Sequence, residues 1–319
     1  MTETASIYGP VADDIPTVGK RLRSLANGHH PLLAEALAYV FESVGKQIRP
    51  ALCLLSGKFG EYDLDALVTL AASIEVVHTA TLVHDDTVDE ALSRRGLRTV
   101  NAVWGGKIAI LLGDFLFAQS AQLATDLNRI PIMSLLSETV MAMSSGELRQ
   151  YAASRSRDVD EQDYLERIAG KTASLFAMCC QGGAIVSNQP PHMVQALREY
   201  GTNLGLAFQI ADDVLDFVGD ESRLGKPAGS DLRQGTVTLP LIFFARDIPK
   251  TSPFWRHLQH GTNLTEIVEA VRNSDATRRA LERAEVYAAA ARASLRNFPR
   301  GEAREALEDL TEYVTSRSR

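Results

Sequence analysis

The sequence predicts an all-α protein, a bundle of helices in one domain over residues 1–319. Three observations carry that expectation. Apolar residues recur at helical spacing through most of the chain. No run of alternating β-branched residues is long enough to read as a convincing strand. The breaks between helical runs are short, as in "LNRIP", "SNQPP" and "NFPRG", where Pro, Gly and Asn interrupt the pattern.

In chain order, "VADDIP" pairs Asp13 with Asp14, but Thr17 and Val18 stand one turn later, so this is a helix start or a solvated cluster. "HPLLAEALAYVFESVG" sets Leu32, Leu33, Leu37, Val40 and Phe41 on one helical face. "RPALCLLSGKFG" reads as the next helix, with Pro50 near its start. "LDALVTLAASIEVVHTATLVHDDTVDEAL" is apolar almost all round until Asp85, the pattern of a central buried helix. Further helices are expected near 105–127, 131–152, 161–186, 191–218, 238–246, 264–273, 275–297 and 301–316. Residues 219–240, "GDESRLGKPAGSDLRQGTVTLP", form the one long Gly-rich connection, a length that in a compact domain points to function or disorder.

The composition narrows the function classes. The net charge is −7, with no basic run, which argues against nucleic acid as a partner. Cys53, Cys179 and Cys180 are odd in number and read as buried thiols in a reducing cytoplasm. "MTETASIYGP" lacks the features of a signal peptide. No apolar run is expected to reach membrane-spanning length; the best candidate, "IAILLGDFLF", is broken by Asp114. Asp114 reads as bonding a structural partner, and His257 and His260 as surface residues.

Two acidic clusters stand out. "LVHDDTVDEALSRRG" holds Asp85, Asp86 and Asp89, and "QIADDVLDFVGD" holds Asp212, Asp213 and Asp216 in the same pattern. On a helix, positions i, i+1 and i+4 fall within an arc of roughly 100°. Carboxylates crowded there repel one another, and their apolar surroundings add a desolvation cost. Hard divalent cations with oxygen ligands offset both, and Mg²⁺ is usually held by one or two carboxylates plus phosphates. Arg94 and Arg95 follow the first cluster; "GKQIRP" supplies Lys46 and Arg49; Lys171 begins "KTASLF" inside an apolar run, and Lys226 sits in the Gly-rich connection. Each alone reads as a surface charge, whereas around two acidic motifs they read as phosphate clamps. His78 alone reads as a buried structural histidine. There is no Gly-x-Ser-x-Gly elbow, Walker loop, His-Glu-x-x-His or Cys-x-x-Cys pair.

From "VGKQIRP" to "DLRQGTVTLP", residues 44–240, the chain resembles the trans-isoprenyl diphosphate synthases, or polyprenyl synthetases. "GKQIRP", "LVHDDTVDE…RRG", "GKTASL" and "FQIADDVLD…GKPAGSDLRQGTVTLP" occur in family order. The resemblance implies an isoprenoid synthase-type helical bundle around a deep central cavity, usually in a homodimer. It implies that both aspartate triplets surround Mg²⁺, three ions with substrate bound, bridging an allylic diphosphate. Arg94, Lys171 and Lys226 would add charge to that diphosphate. Lys46, Arg49, His78 and Arg95 would bind isopentenyl diphosphate, with Gly45 letting the backbone approach phosphate. Thr172 and Gln209 would turn their oxygens toward positive charge on the reacting carbons, and Gln150 would line the cavity. Many relatives carry a lysine where this chain has Thr236.

The chemistry so implied is ionisation of the allylic diphosphate, attack by isopentenyl diphosphate, and proton loss. Ala80 and Thr81, one turn before Asp85, are small, and Val77 below them is not aromatic. Small residues there imply a product longer than geranylgeranyl diphosphate, unless Phe115, Phe117 or Met143 forms a floor from another helix. The competing readings are a farnesyl or geranylgeranyl synthase, a class I terpene cyclase, and a non-catalytic regulatory subunit. A cytoplasmic location is expected, with transient membrane contact for release of a lipid product.

Overall fold

The computed structural model describes residues 7–42, 45–94, 96–219 and 227–316. They fold almost wholly as helices: α1 Ile15–Ser24, α2 Pro31–Glu42, α3 Ile48–Gly57, α4 Leu64–Val88, α5 Val100–Trp104, α6 Gly106–Asp126, α7 Ile130–Ser156, α8 Glu161–Ile168, α9 Ser174–Val186 and α10 Pro191–Val218. There follow α11 Ser230–Arg233, α12 Leu239–Arg246, α13 Pro253–His260, α14 Leu264–Arg272, α15 Ala276–Ser294 and α16 Glu302–Ser316. The strands among the described residues are β1, Ser93–Arg94, and β2, Leu97–Arg98, paired antiparallel beside Gly96 at φ +81°.

The chain divides into two compact units. The first comprises Met1–Val140, Met178–Arg198 and Asn297–Leu307; the second comprises Met141–Ala177, Glu199–Arg296 and Glu308–Arg319.

In the first unit α4 is the core. Asp63 caps it, accepting the Ala66 amide at 3.1 Å. Leu67, Leu70, Ile74, Val76, Val77 and Ala80 are fully buried, and each buried Leu or Ile contributes about 1.5–3 kcal/mol. Helix α6 packs along α4, where the Ser73 hydroxyl donates to the Ser120 carbonyl at 2.9 Å. Helices α4 and α6 do reach membrane-spanning length and apolarity, contrary to the sequence expectation. For α4 the reason is its place in the core: most of its apolar stretch is buried inside the protein, and its end carries the three aspartates. Cys53, Cys179 and Cys180 are buried free thiols, as expected. Asp114 has His84 as a partner at 3.7 Å, but on a side chain that is 65% exposed.

In the second unit Tyr164, Ile168, Ile210, Phe217, Leu241 and Val271 share one apolar cluster, which α15 joins through Ala276, Ala280 and Ala284. The expected helix over 161–186 is interrupted by a π-helical turn, Ala169–Ala173. Such turns insert one residue into the helical repeat and recur at functional sites. Gly146 of α7 lies against this turn. A Cβ on Gly146 would stand 2.6 Å from the Lys171 nitrogen, and one on Gly170 would stand 2.8 Å from the Ala142 carbonyl oxygen. Only two glycines let these backbones approach so closely.

Candidate functional site

The first acidic motif occupies the C-terminal end of α4. Asp85 is half-buried, Asp86 is 7% exposed and Asp89, the C-cap, is exposed. The helix stops in a left-handed residue, Glu90 at φ +51°, and the Ala91 amide donates back to the Asp86 carbonyl at 2.9 Å. The negative end of the helix dipole thus coincides with three carboxylates, so the electrostatics disfavour them unless a cation is near. Arg94, on β1, supplies one: its Nε donates to Asp86 Oδ1 at 2.8 Å. Asn101 Nδ2 donates to the Asp86 carbonyl at 3.0 Å. Burial pushes the Asp86 carboxyl above the ordinary range, Arg94 pulls it down, and Asp89 adds to the rise.

On the same helix Thr81 and His78 are half-buried, with the Thr81 hydroxyl donating to the His78 carbonyl at 2.8 Å. Ala80 and Val77 have no exposed surface. Phe115 and Phe117 make ring contacts with His29 and His84, at 5.2 and 5.7 Å between centroids. Gly45 and Lys46 are exposed and Arg49 is half-buried at the start of α3. The Tyr8 hydroxyl donates to the Lys46 carbonyl, pinning this loop, and Gln47 enters the helix at φ +53°. Two basic side chains at a helix N-terminus make a ready anion site.

The second motif lies in the last two turns of α10, in the second unit. Asp212 is half-buried, Asp213 is 3% exposed and Asp216 is 2% exposed. Asp213 accepts from the Tyr164 hydroxyl at 2.6 Å and from Gln209 Nε2 at 2.8 Å. Burial raises its carboxyl well above the ordinary range, and the charge of Asp231 raises it further, more than that of Asp212 does. The Asp231 amide donates to Asp216 Oδ2 at 3.2 Å, and the Gly229 amide to the Asp216 carbonyl at 2.8 Å. Thr236 donates its amide to the Asp231 carbonyl at 2.9 Å. The Thr172 hydroxyl donates to Gln209 Oε1 at 2.8 Å, and Lys171 pairs with Glu147. Gln150 is half-buried on α7.

The structure thus joins Asp86 with Arg94 in one unit, and Thr172 with Gln209 and Asp213 in the other. Arg95 and Lys226 lie outside the described residues. Sequence reasoning passed over Tyr164, Glu147 and Asp231. Tyr164 precedes Lys171 by two helical turns and looks like a core residue. Asp231 had a signal, a lone acid in "AGSDLRQG" of the long Gly-rich connection.

Among the described residues, no three carboxylates, thiols or imidazoles converge closely enough to hold an ion by themselves. Carboxylates raised by burial and by one another, on helix C-termini, nevertheless suit a hard divalent cation whose coordination is completed by phosphate and water.

Residues 30–274 match the polyprenyl synthetase family model. The heptaprenyl diphosphate synthase component 2 of Bacillus subtilis is 36% identical over 97% of this chain and 90% of its own. The crystal structure of a decaprenyl diphosphate synthase from Rhodobacter capsulatus superposes with a TM-score of 0.90 at 35% identity, over 97% of both chains. A polyprenyl synthase from Caulobacter crescentus, complexed with calcium and isoprenyl diphosphate, gives 0.88 at 36%, over 97% of this chain and 95% of that one.

Proposed function

We propose a long-chain prenyltransferase activity from one premise: this chain belongs to the polyprenyl synthetase family. It condenses isopentenyl diphosphate with an allylic diphosphate, successively, into a linear polyprenyl diphosphate longer than geranylgeranyl diphosphate. The observation that carries this reading is near full-length similarity to heptaprenyl and decaprenyl diphosphate synthases, with both aspartate motifs intact. A terpene cyclase needs no second diphosphate site, and Lys46 with Arg49 at the start of α3 argues for one.

Mg²⁺ is the proposed metal, supported by the oxygen donors here and by the calcium in the Caulobacter structure. When bound, it neutralises the diphosphate that departs from the allylic carbon. Asp85 and Asp89 are accessible enough to hold it in the first motif, and Asp212 in the second. Arg94 and Lys171 add positive charge toward the departing group. Lys46 and Arg49 hold isopentenyl diphosphate on the α3 N-terminus. Thr172 and Gln209 present oxygens to the carbon that becomes cationic. Positioning and electrostatics then supply most of the rate enhancement.

A homodimer is proposed from the apolar surface of α6, where Ile110 is 51% and Leu111 64% exposed. The Bacillus relative is named as one component of its enzyme, which favours a second reading in which this chain works with another subunit. We also propose a cytoplasmic enzyme that meets a membrane when its lipid product leaves. The test is incubation of the purified chain with Mg²⁺, isopentenyl diphosphate and a set of allylic primers, followed by product sizing. Products in the hexaprenyl-to-decaprenyl range are expected, in line with the heptaprenyl and decaprenyl diphosphate synthases that this chain resembles. A product no longer than geranylgeranyl diphosphate overturns the long-chain assignment. Activity that appears only on adding a second polypeptide selects the two-component reading.

A further inference from the structure

Four side chains of the second unit form one hydrogen-bonded chain whose donors converge on Asp213. The Thr172 hydroxyl donates to Gln209 Oε1, Gln209 Nε2 donates to Asp213 Oδ1, and from the far side the Tyr164 hydroxyl donates to Asp213 Oδ2. All three bonds are short, at 2.8, 2.8 and 2.6 Å. Tyr164 is 1% exposed and its ring is fixed in the apolar cluster with Ile168, Ile210 and Phe217. The Arg167 guanidinium lies 5.7 Å from the ring centroid and is itself held by Asp163 and the Val237 carbonyl. The hydroxyl therefore has little freedom to leave Asp213.

The polarity of this chain follows from what each group can donate. When ionised, Asp213 accepts a donor on each oxygen, so Gln209 meets it with its amide NH₂. That orientation turns the Gln209 carbonyl oxygen to Thr172, whose one hydroxyl proton is used there. What remains on Thr172 and on Gln209 Oε1 is lone-pair density. A half-turn of the Gln209 amide would replace an oxygen by N–H groups and change attraction for a cation into repulsion.

We infer that Tyr164 is a positioning residue for the reaction: by holding Asp213, it locks the Gln209 amide so that oxygens of Gln209 and Thr172 face the positive charge growing on the allylic carbon. This rests on the prenyltransferase reading above. Tyr164 touches no reacting atom in this scheme; it acts two hydrogen bonds away. The effect on a cation is large because fixed dipoles act strongly where water is excluded.

Tyr164→Phe keeps the ring and removes only the hydroxyl. The experiment measures kcat and both KM values with Mg²⁺, and the binding of two unreactive probes. One probe is an ammonium analogue of the allylic cation with pyrophosphate; the other is an uncharged-tail allylic thiolodiphosphate. The expected result is a fall in kcat of about 10- to 100-fold with both KM values within about threefold. The ammonium probe weakens about tenfold while the thiolodiphosphate stays within about twofold. Tyr164→Phe/Gln209→Leu turns over no more slowly than Gln209→Leu alone, because Tyr164 acts through the Gln209 amide. Thr172→Ser, which keeps the hydroxyl, retains the Tyr164→Phe effect. Equal weakening of both probes, or multiplicative losses in the double variant, overturns the inference while an active wild type leaves the prenyltransferase reading standing. A wild type that binds neither probe and extends no primer overturns both.

Discussion

The two aspartate motifs have the same letters and different surroundings. Asp86 sits at the open end of α4, with an arginine against it and an exposed Asp89 one turn on. Asp213 sits inside α10, held by an uncharged phenol and an uncharged amide, with Asp231 adding negative charge. In the first motif the protein brings its own counter-cation on a short hairpin. In the second, two neutral donors fix the orientation of the Asp213 carboxyl. On the proposed function, one pattern would serve two tasks: a clamp for substrate at Asp86, and a scaffold that aims neighbouring groups at Asp213.

Loss of a proposed metal ligand tests what the motifs share. Asp85→Ala and Asp212→Ala are each expected to lower kcat by at least about 100-fold with helical circular dichroism unchanged. Full turnover in either purified variant, with bound metal undiminished, would break the symmetry between them. Arg94→Ala addresses the counter-cation: the allylic KM should rise about tenfold, with isopentenyl diphosphate affected less. Equal effects in separate titrations would remove the allylic assignment.

Thr81→Phe should shorten the product, because Thr81 is half-buried on the helix that carries the first motif. Ala80→Phe enters a fully buried position and should also cost about 1–3 kcal/mol of stability by overpacking. Product sizing of both variants decides the matter; unchanged lengths in folded protein would show that the growing chain does not pass this turn.

The smallest effect concerns protons. Burial lifts the Asp213 carboxyl above the ordinary carboxylate range in the folded protein. Between that range and the raised value, the folded state keeps a proton that the unfolded chain has released. Metal-free stability should therefore fall as pH rises through this window and recover on acidification toward the ordinary range. Asp213→Asn should flatten that part of the Tm–pH curve. Arg94 partly offsets the same tendency at Asp86, so Asp86→Asn should flatten it less.

Much of this was legible in the letters, and the failures have physical causes. The buried length of α4 and the ends of α10 follow from apolar periodicity, and both triplets stand out because charge is costly there. Helix α13, Pro253–His260, was not foreseen: its one buried residue, Leu258, marks no apolar period. The hairpin was missed because two-residue strands carry no alternation. Tyr164 was passed over since a phenol in an apolar stripe reads as core until the position of its hydroxyl is known. Asp231 is brought to Asp216 by a fold-back of the Gly-rich connection, which spacing along the chain does not encode.

The π-helical turn at Ala169–Ala173 carries a further consequence. It works as a phase slip: one surplus residue rotates all that follows by about 100° relative to a continuous α-helix. Removing a single residue from it would leave a better-formed helix by every local measure. It would also turn the buried faces of Leu175, Phe176, Cys179 and Cys180 away from their present environments, so that a one-residue deletion acts as a frameshift in space without changing any remaining side chain.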